Sequence, residues 1–258
     1  MKNRFAAHIM FGFALSLGVL IMLLSPEAAA QSINIDFATE GSGTVTGRIV
    51  QMVILLTVLS LAPSILIMMT SFTRIVVVLS FLRTAIGIQQ TPPNTVMISL
   101  AMFLTFFIMA PTLEASYELG VKPLINEEID EITAFERGIV PFKAFMLKHA
   151  REDDLRLFME LSKTEAPEEI MDTPLQIVIP SFMISELRRA FEIGFMLFLP
   201  FLIIDLVTAS ILMAMGMMML PPVTVSLPFK IVFFVLVDGW HLISGSLIKS
   251  FDSVPIPS

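Results

Sequence analysis

The chain has 258 residues, of which 55% are hydrophobic and only 15% are charged, whereas ordinary soluble domains are about 25% charged. This composition indicates a membrane protein. The formal net charge of -7 excludes the basic surface that nucleic-acid binding requires, so we expect no nucleic acid among its partners. Because the chain has no cysteine, disulfides, thiolate catalysis and cysteine-ligated metal sites are excluded as well.

The N-terminal residues have the pattern of a secretory signal peptide. A basic start is followed by an apolar run over 9–24 and by three alanines that end at Ala30. A run of about 16 apolar residues is short for a membrane span, so we predict that residues 1–30 are cleaved off before Gln31. An uncleaved transmembrane helix is the alternative. Cleavage places the mature N-terminus outside the cytoplasm, where residues 31–47 form a polar exported linker.

Four apolar segments follow, and their lengths suit simple membrane spans poorly. Residues 49–82 would form a helix about 50 Å long, too long for one crossing of a hydrocarbon layer about 30 Å thick and too short for two. We therefore predict a broken helix there, which with the short segment 95–111 forms a first hydrophobic helical hairpin over 48–113. A second hairpin is predicted over 186–250, followed by a C-terminal tail at 251–258.

An acidic polar stretch over 114–185 separates the hairpins and is predicted to be a solvated helical insert. Apolar and charged residues at helical spacing predict an amphipathic helix within 141–162. Between Pro174 and Pro180 we predict a short extended segment, with Ser181 as the N-cap of the next helix. The loops give little positive-charge bias, so the signal peptide decides the orientation and puts the insert on the periplasmic side.

Two ten-residue stretches, "GIQQTPPNTV" and "GMMMLPPVTV", share the pattern G-x-x-x-x-P-P-x-T-V at an offset of 129 residues. The glycine and the proline pair occur in both copies: Gly87, Pro92 and Pro93, and then Gly216, Pro221 and Pro222. Glycine permits the left-handed backbone that ends a helix, paired prolines prevent its continuation, and threonine can cap the returning helix. We interpret both as hairpin tips pointing the same way in a parallel internal repeat. Two unrelated proline turns are the alternative.

Only the second copy carries three consecutive methionines, Met217, Met218 and Met219. Methionine is unbranched, polarizable and adaptable, so a ring of such loops could close on itself or around varied passing chains. We interpret the loop as a compliant gasket. The residues alone leave a second interpretation open, in which methionine is merely apolar filler.

Several charged residues lie in or at the ends of the apolar segments: Arg74, Glu186, Asp205, Lys230 and Asp238. A charge that faces lipid costs about 2.5–3.5 kcal/mol on insertion scales, so we predict that these residues form ion pairs between helices or subunits. For Glu186, which lies at the end of a segment, contact with lipid headgroups or water is the alternative. Lys230 and Asp238 are eight positions apart and are predicted to share one face of a helix.

The sequence shows no motif of an enzyme, metal or cofactor site. A nucleophile elbow, a phosphate-binding loop and an H-E-x-x-H pair are all absent from it. We therefore predict no enzymatic activity, no cofactor and no metal.

Two blocks, Ser71–Val96 and Ile179–Trp240, closely resemble the FliP family, the flagellar type III export-gate proteins related to the R component of injectisomes. The resemblance implies an all-α fold of membrane-associated hairpins with broken helices and a polar helical insert. It implies that five copies assemble with one FliR and several FliQ into a helical, conical pore in the bacterial inner membrane, at the flagellar basal body. The resemblance further implies that other export-apparatus proteins are partners and that unfolded secreted flagellar proteins pass a gasket formed by Met217, Met218 and Met219.

The competing function is a small-molecule secondary transporter, which also uses internal repeats and broken helices. Stoichiometry separates the two functions, because a transporter completes its path within one or two chains whereas a gate requires a ring. A passive scaffold is a third possibility, in which the methionines have no sealing role.

Overall fold

The structure is a computed structural model, and the residues that it describes are part of 52–68 together with 69–88, 91–164, 167, 169–217 and 220–252. By its internal contacts the chain divides into two units, Met1–Ile54 and Leu55–Ser258, and the fold given below is that of the second. The predicted cleavage site between Ala30 and Gln31 and the predicted linker at 31–47 lie outside the described residues.

All regular structure in the described part of the chain is helical. From residue 69 onward its α-helices are α1 (Phe72–Ile86), α2 (Asn94–Ser116), α3 (Lys122–Ile125), α4 (Glu131–His149), α5 (Glu152–Ser162), α6 (Leu175–Ala214), α7 (Pro222–Leu236) and α8 (Gly239–Asp252). A π-helical turn, Tyr117–Val121, joins α2 to α3, and a 3-10 turn, Ile170–Asp172, precedes α6. The prediction of an all-α fold is confirmed for these residues.

Two helical stretches, Asn94–Ile125 and Leu175–Ala214, are long and apolar enough to cross a membrane. A third candidate span arises if α7 and α8, which meet at a bend of 63°, are taken together. Helix α6 has 40 residues, or about 60 Å at the rise of 1.5 Å per residue, about twice the thickness of the hydrocarbon layer. The predicted border between insert and second hairpin, at residue 185, falls inside this one helix.

The prediction of an extended segment over 175–179 is wrong, because these residues form the first turns of α6. Ile177, Val178 and Phe182 are buried there at helical spacing, against apolar residues of α4 and α5. This packing outweighs the local effect of the flanking prolines. Ser181 is correspondingly not an N-cap, since its hydroxyl donates to the carbonyl oxygen of Ile177 at 2.7 Å within the helix.

The amphipathic helix predicted within 141–162 is divided into α4 and α5. At the break, the backbone N–H of Arg151 donates to the hydroxyl oxygen of Ser185 in α6 at 2.9 Å. That hydroxyl in turn donates to Oδ2 of Asp154 at 2.6 Å. The insert is therefore attached to α6 by buried polar contacts as well as by apolar packing.

The fourth apolar segment also contains a break that the sequence did not reveal. Helix α7 ends at Leu236, Asp238 adopts a left-handed backbone with φ of 50°, and α8 begins at Gly239. A Cβ atom on Gly239 would overlap the ring of Phe234, so any larger residue would require this ring to move. The prediction that Lys230 and Asp238 share a helix face is wrong, because the helix ends between them.

The described apolar core has two parts. The first joins α1 to α2, α6, α7 and α8, and its members include Ile75, Leu79, Leu82, Ala101, Ala190, Phe201, Phe234 and Leu247. Helix α1 packs mainly on α6, where a Cβ atom on Gly194 would come within 2.5 Å of the Phe81 ring. The second part lies where α4, α5 and the start of α6 meet, around Phe142, Met146, Leu155 and Phe182. Because α6 contributes to both, it connects the hairpins to the insert.

His149 is buried at the end of α4, next to the C-terminal helix. Its ring centre lies 4.7 Å from that of Phe145 and 5.2 Å from that of Phe251. Its Nδ1 atom has no hydrogen-bond partner among the described residues. Burial, and after it the positive charge of Arg74 and other nearby cations, lowers the pKa of His149 from 6.5 to about 3, so the imidazole is neutral in the folded protein at ordinary pH.

Protonation of His149 in the unfolded chain should make the protein less stable in mild acid. The unfolded state binds this proton below about pH 6.5 and the folded state only below about pH 3, so the stability is complete above pH 6.5 and is lost progressively towards pH 3. At pH 5 we expect the free energy of unfolding to fall by about 2 kcal/mol relative to pH 7.5. Unfolding of the purified protein in detergent, followed over this pH range, measures the loss.

The matched control is His149→Gln, which has a polar side chain that does not titrate. Its pH dependence should be shallower than that of the wild type by the same amount. Equal pH dependence in the two proteins would show that His149 makes no such contribution.

Candidate functional site

The first hinge loop begins where α1 ends. Gly87 has φ of 89°, in the left-handed region that favours glycine. Its N–H donates to the carbonyl oxygens of Arg83 at 3.3 Å and Thr84 at 3.1 Å. Carbonyl groups of the last turn of α1 thereby receive a hydrogen bond that the helix itself cannot supply. The proline pair Pro92–Pro93 directly precedes α2.

The second hinge loop has the same backbone plan at the end of α6. Gly216 has φ of 73°, and its N–H donates to the carbonyl oxygen of Met213 at 3.0 Å. The N–H of Met217 donates to the carbonyl oxygen of Leu212 at 3.0 Å, which completes a Schellman motif. The proline pair Pro221–Pro222 spans the start of α7. Each loop thus has a left-handed glycine after one helix and a proline pair at the start of the next.

The predicted threonine caps are wrong. Neither α2 nor α7 has a side-chain hydrogen bond at its N-cap. Pro93 and Pro221 occupy the N-cap positions themselves, so the threonines lie inside the first helical turns. The hydroxyl of Thr224 donates to the carbonyl oxygen of Pro221 at 2.8 Å.

The two loops lie at the same end of the helices. A Cβ atom on Gly87 would meet Cδ1 of Leu227 at 3.4 Å, and Nζ of Lys230 donates to the carbonyl oxygen of Ala85 at 3.1 Å. The end of α1 is therefore packed beside the first turns of α7, within a few residues of the second loop.

The second loop presents methionine at an open surface. No described atom lies within 4 Å of the position that a Cβ atom on Gly216 would occupy. Met217 is 45% exposed in the single chain, and Met215 beside it is 57% exposed. Met218 and Met219 lie outside the described residues.

Arg74 of α1 and Glu186 of α6 form a wholly buried ion pair. Nε of the arginine donates to Oε2 at 2.8 Å, and Nη2 donates to Oε1, which is the bidentate geometry that makes such pairs strong. Nη1 donates to the hydroxyl and the carbonyl oxygen of Ser250 in α8, at 2.9 and 3.1 Å. The guanidinium carbon also lies 3.7 Å from the ring centre of Phe251. One arginine therefore connects the first hairpin to both ends of the second.

A second ion pair lies closer to the hinge loops, between Lys230 of α7 and Asp205 of α6. Nζ lies 2.6 Å from Oδ2, and the side chains are 5% and 27% exposed. The hydroxyl of Ser226, one turn before the lysine, donates to Oδ1 of Asp205 at 2.5 Å. With the bond from Lys230 to Ala85, this cluster joins α1, α6 and α7.

Of the five charged residues predicted to form ion pairs, Asp238 is the one that belongs to neither of the two buried pairs. It is exposed at the corner between α7 and α8, and its side chain has no partner within the described ranges. Ser226 is not among the predicted site residues, although its position four residues before Lys230 was a usable signal. Ser250 and Phe251 were not predicted either, because their contacts with Arg74 have no local signature in the sequence.

Loss of Lys230 should destabilise the protein because it leaves a largely buried carboxylate without its cation. We expect Lys230→Ala to lower the free energy of unfolding by about 3 kcal/mol. The matched control is Arg188→Ala, which breaks the Arg188–Glu192 pair of α6. That pair is 3.0 Å long and its side chains are 56% and 54% exposed, so its loss should cost at most about 1 kcal/mol. Denaturant unfolding of both variants measures the difference, and equal losses would rule out a special role for the buried pair.

Comparison with known proteins relates this arrangement to one family. A model described as "FliP family" matches residues 55–247, which include both loops and both ion pairs. The chain is 60% identical to the flagellar biosynthetic protein FliP of Caulobacter vibrioides over 237 residues, 91% of this chain and 88% of that protein. It is 57% identical to the FliP of Bacillus subtilis over 202 residues, 78% of this chain and 91% of that protein. For the FliP of Aquifex aeolicus the identity is 52% over 213 residues, 82% and 89% of the two chains.

Proposed function

Because the chain belongs to the FliP family of flagellar biosynthetic proteins, we propose that it is a pore-forming subunit of the flagellar type III protein export gate. The family is one of non-enzymatic membrane proteins of the export apparatus. In this proposal several copies, five by the family resemblance, join FliQ and FliR in the bacterial inner membrane at the basal body. Together they surround a conduit for unfolded flagellar proteins.

The exposed surface of the single chain supports an assembly of several copies. Large apolar side chains are exposed along α2 and α6: Phe103, Phe106, Phe107, Phe195, Met196, Ile203, Leu206 and Ile211. Contiguous apolar surface of this kind marks contact with protein or membrane. Since α6 is about 60 Å long, the lipid hydrocarbon layer covers only part of this face, and neighbouring subunits cover the rest.

The single observation that carries the proposal is the pairing of two hinge loops at one end, of which only the second presents methionine. Met217 is 45% exposed and its loop has open space beside Gly216. In a ring of copies these loops meet around the axis. The flexible thioether side chains fill a narrow gap at rest and deform around unfolded chains of varied shape.

The ion pairs give this loop a rigid base. Asp205 and Lys230 join the two helices that flank the loop, and Lys230 also holds the end of the first hinge through Ala85. The loop itself has no such contact within its described residues. It can therefore yield to a passing chain while the helices below it stay in place.

Replacing Met217, Met218 and Met219 together by alanine should raise ion leakage through the resting assembly. Alanine lacks the three terminal heavy atoms of each methionine side chain, so the ring no longer closes. Ion flux into proteoliposomes that contain the purified complex measures this effect. The matched control is Met196→Ala, since Met196 is 69% exposed on α6 but distant from the loop in sequence, and its leakage should equal that of the wild type. Unchanged leakage in the triple variant of an assembled complex would instead favour a passive scaffold.

The second candidate function is a small-molecule secondary transporter, which the repeated hinge geometry favours on its own. The mass of the purified complex separates the two functions. The gate predicts several copies of this chain in one particle. A monomer or simple dimer that takes up a small solute would overturn the gate and support the transporter.

A further inference from the structure

Exposed methionine side chains are concentrated at the second hinge loop. Met213 in the last turn of α6 is 58% exposed, Met215 directly after the helix 57%, and Met217 in the loop 45%. Four methionines of the apolar core are at most 5% exposed: Met69, Met97, Met109 and Met146. A reagent as small as water therefore reaches the thioether groups at this end of α6, whereas packing protects those of the core.

The surroundings of these methionines offer little to bind a new polar atom. A cavity of about 500 Å³ lies between α6 and α7, and Met215 is one of its lining residues. Thr208 is the lining residue with a polar side chain, and its hydroxyl donates to the carbonyl oxygen of Ile204 at 2.7 Å. A hydroxyl has one hydrogen to donate, so among the described side chains of this wall no hydrogen-bond donor is free.

Hydrogen peroxide oxidises a methionine thioether to a sulfoxide. The sulfur donates an electron pair to one peroxide oxygen, and the S–O bond forms as the O–O bond breaks. The second oxygen takes up the proton of the transferred oxygen and leaves as water, so sulfur is oxidised by two electrons and the peroxide is reduced. The product is polar, disrupts contacts between methionine side chains, and is returned to the thioether by methionine sulfoxide reductases.

We propose that Met213, Met215 and Met217 form a peroxide-sensitive site whose oxidation opens the resting gate. The inference rests on the proposed function, because it takes the closed ring of these loops as the resting state. At rest the flexible thioether side chains fill a narrow apolar gap. A sulfoxide oxygen that meets no protein donor requires water as its partner, so oxidised loops admit water to the gap and the ring conducts ions.

Oxidation outside the loop should not have this effect. Met196 is 69% exposed, but it lies about five helical turns before the end of α6. Its sulfoxide stays hydrated on the side of the helix and leaves the gap between the loops unchanged.

Ion flux into proteoliposomes that contain the purified wild-type complex tests this inference. The flux is recorded before hydrogen peroxide is added, after it, and again after treatment with a reductant and both classes of methionine sulfoxide reductase, one for each sulfoxide epimer. We expect a several-fold rise in leakage after peroxide and a return to the starting value after reduction. Mass spectrometry of peptides from the oxidised sample should find an added oxygen on Met213, Met215 and Met217 and none on the four core methionines.

A matched variant removes the sulfur atoms but keeps apolar side chains of similar volume. It replaces all five methionines of residues 213–219: Met213→Leu, Met215→Leu, Met217→Leu, Met218→Leu and Met219→Leu. Whatever its resting leakage, this variant should show no further rise with peroxide. The control variant Met196→Leu retains the five methionines and should respond to peroxide as the wild type does.

A wild-type assembly that carries oxidised Met215 and Met217 but leaks no more than before overturns this inference, and so does one in which these residues gain no oxygen. An equal response of the wild type and the five-leucine variant also overturns it, because the sensitive group then lies elsewhere. If the five-leucine variant does not assemble, the wild type alone decides, since a rise in leakage that the reductases do not reverse contradicts the inference. These results leave the proposed function intact, whereas a wild-type chain that forms no oligomer overturns the proposed function itself.

Discussion

The buried ion pair between Arg74 and Glu186 sets the register of the two hairpins. Both side chains are wholly buried, and the arginine also donates to Ser250 in the last helix. Such a pair adds little net stability, because the loss of hydration offsets the attraction between the charges. The pair instead favours one alignment of α1 on α6, because a shift by one helical turn would leave two unpaired charges in an apolar core. The pair of Lys230 and Asp205 imposes the same condition nearer the loops.

This register brings the two hinge loops to the same end of the helices. A glycine with a left-handed backbone follows both α1 and α6, at Gly87 and Gly216. Nζ of Lys230 in α7 donates to the carbonyl oxygen of Ala85, so the helix after the second loop is bound to the end of α1. Neither of these buried ion pairs reaches Met217, whose side chain is exposed. The chain therefore combines helices joined by buried ion pairs with a loop that exposes methionine, and the proposed gate requires both features.

The parts of this arrangement that the sequence predicts are those with local physical causes. Gly87 and Gly216 were predicted as helix ends because left-handed backbone favours glycine wherever it occurs. The energetic cost of removing a charge from water predicts that the buried charges are paired, but it does not identify the partner of each charge. Helical spacing predicts that Lys230 and Asp238 share one helix face, but the helix ends before Asp238, which has a left-handed backbone, and the partner of Lys230 is Asp205 on another helix. The helical conformation of residues 175–179 is likewise determined by tertiary packing rather than by the flanking prolines.

The most direct test of the register is a double-mutant cycle on Arg74→Ala and Glu186→Ala, with the free energy of unfolding measured for the wild type, both single variants and the double variant. Each single substitution leaves one buried charge without its partner and should cost about 3–5 kcal/mol. The double variant should be more stable than the sum of the two losses implies, with a coupling energy of about 2 kcal/mol or more. Losses that add to within about 0.5 kcal/mol would contradict the account, because the two hairpins would then hold their register without this pair.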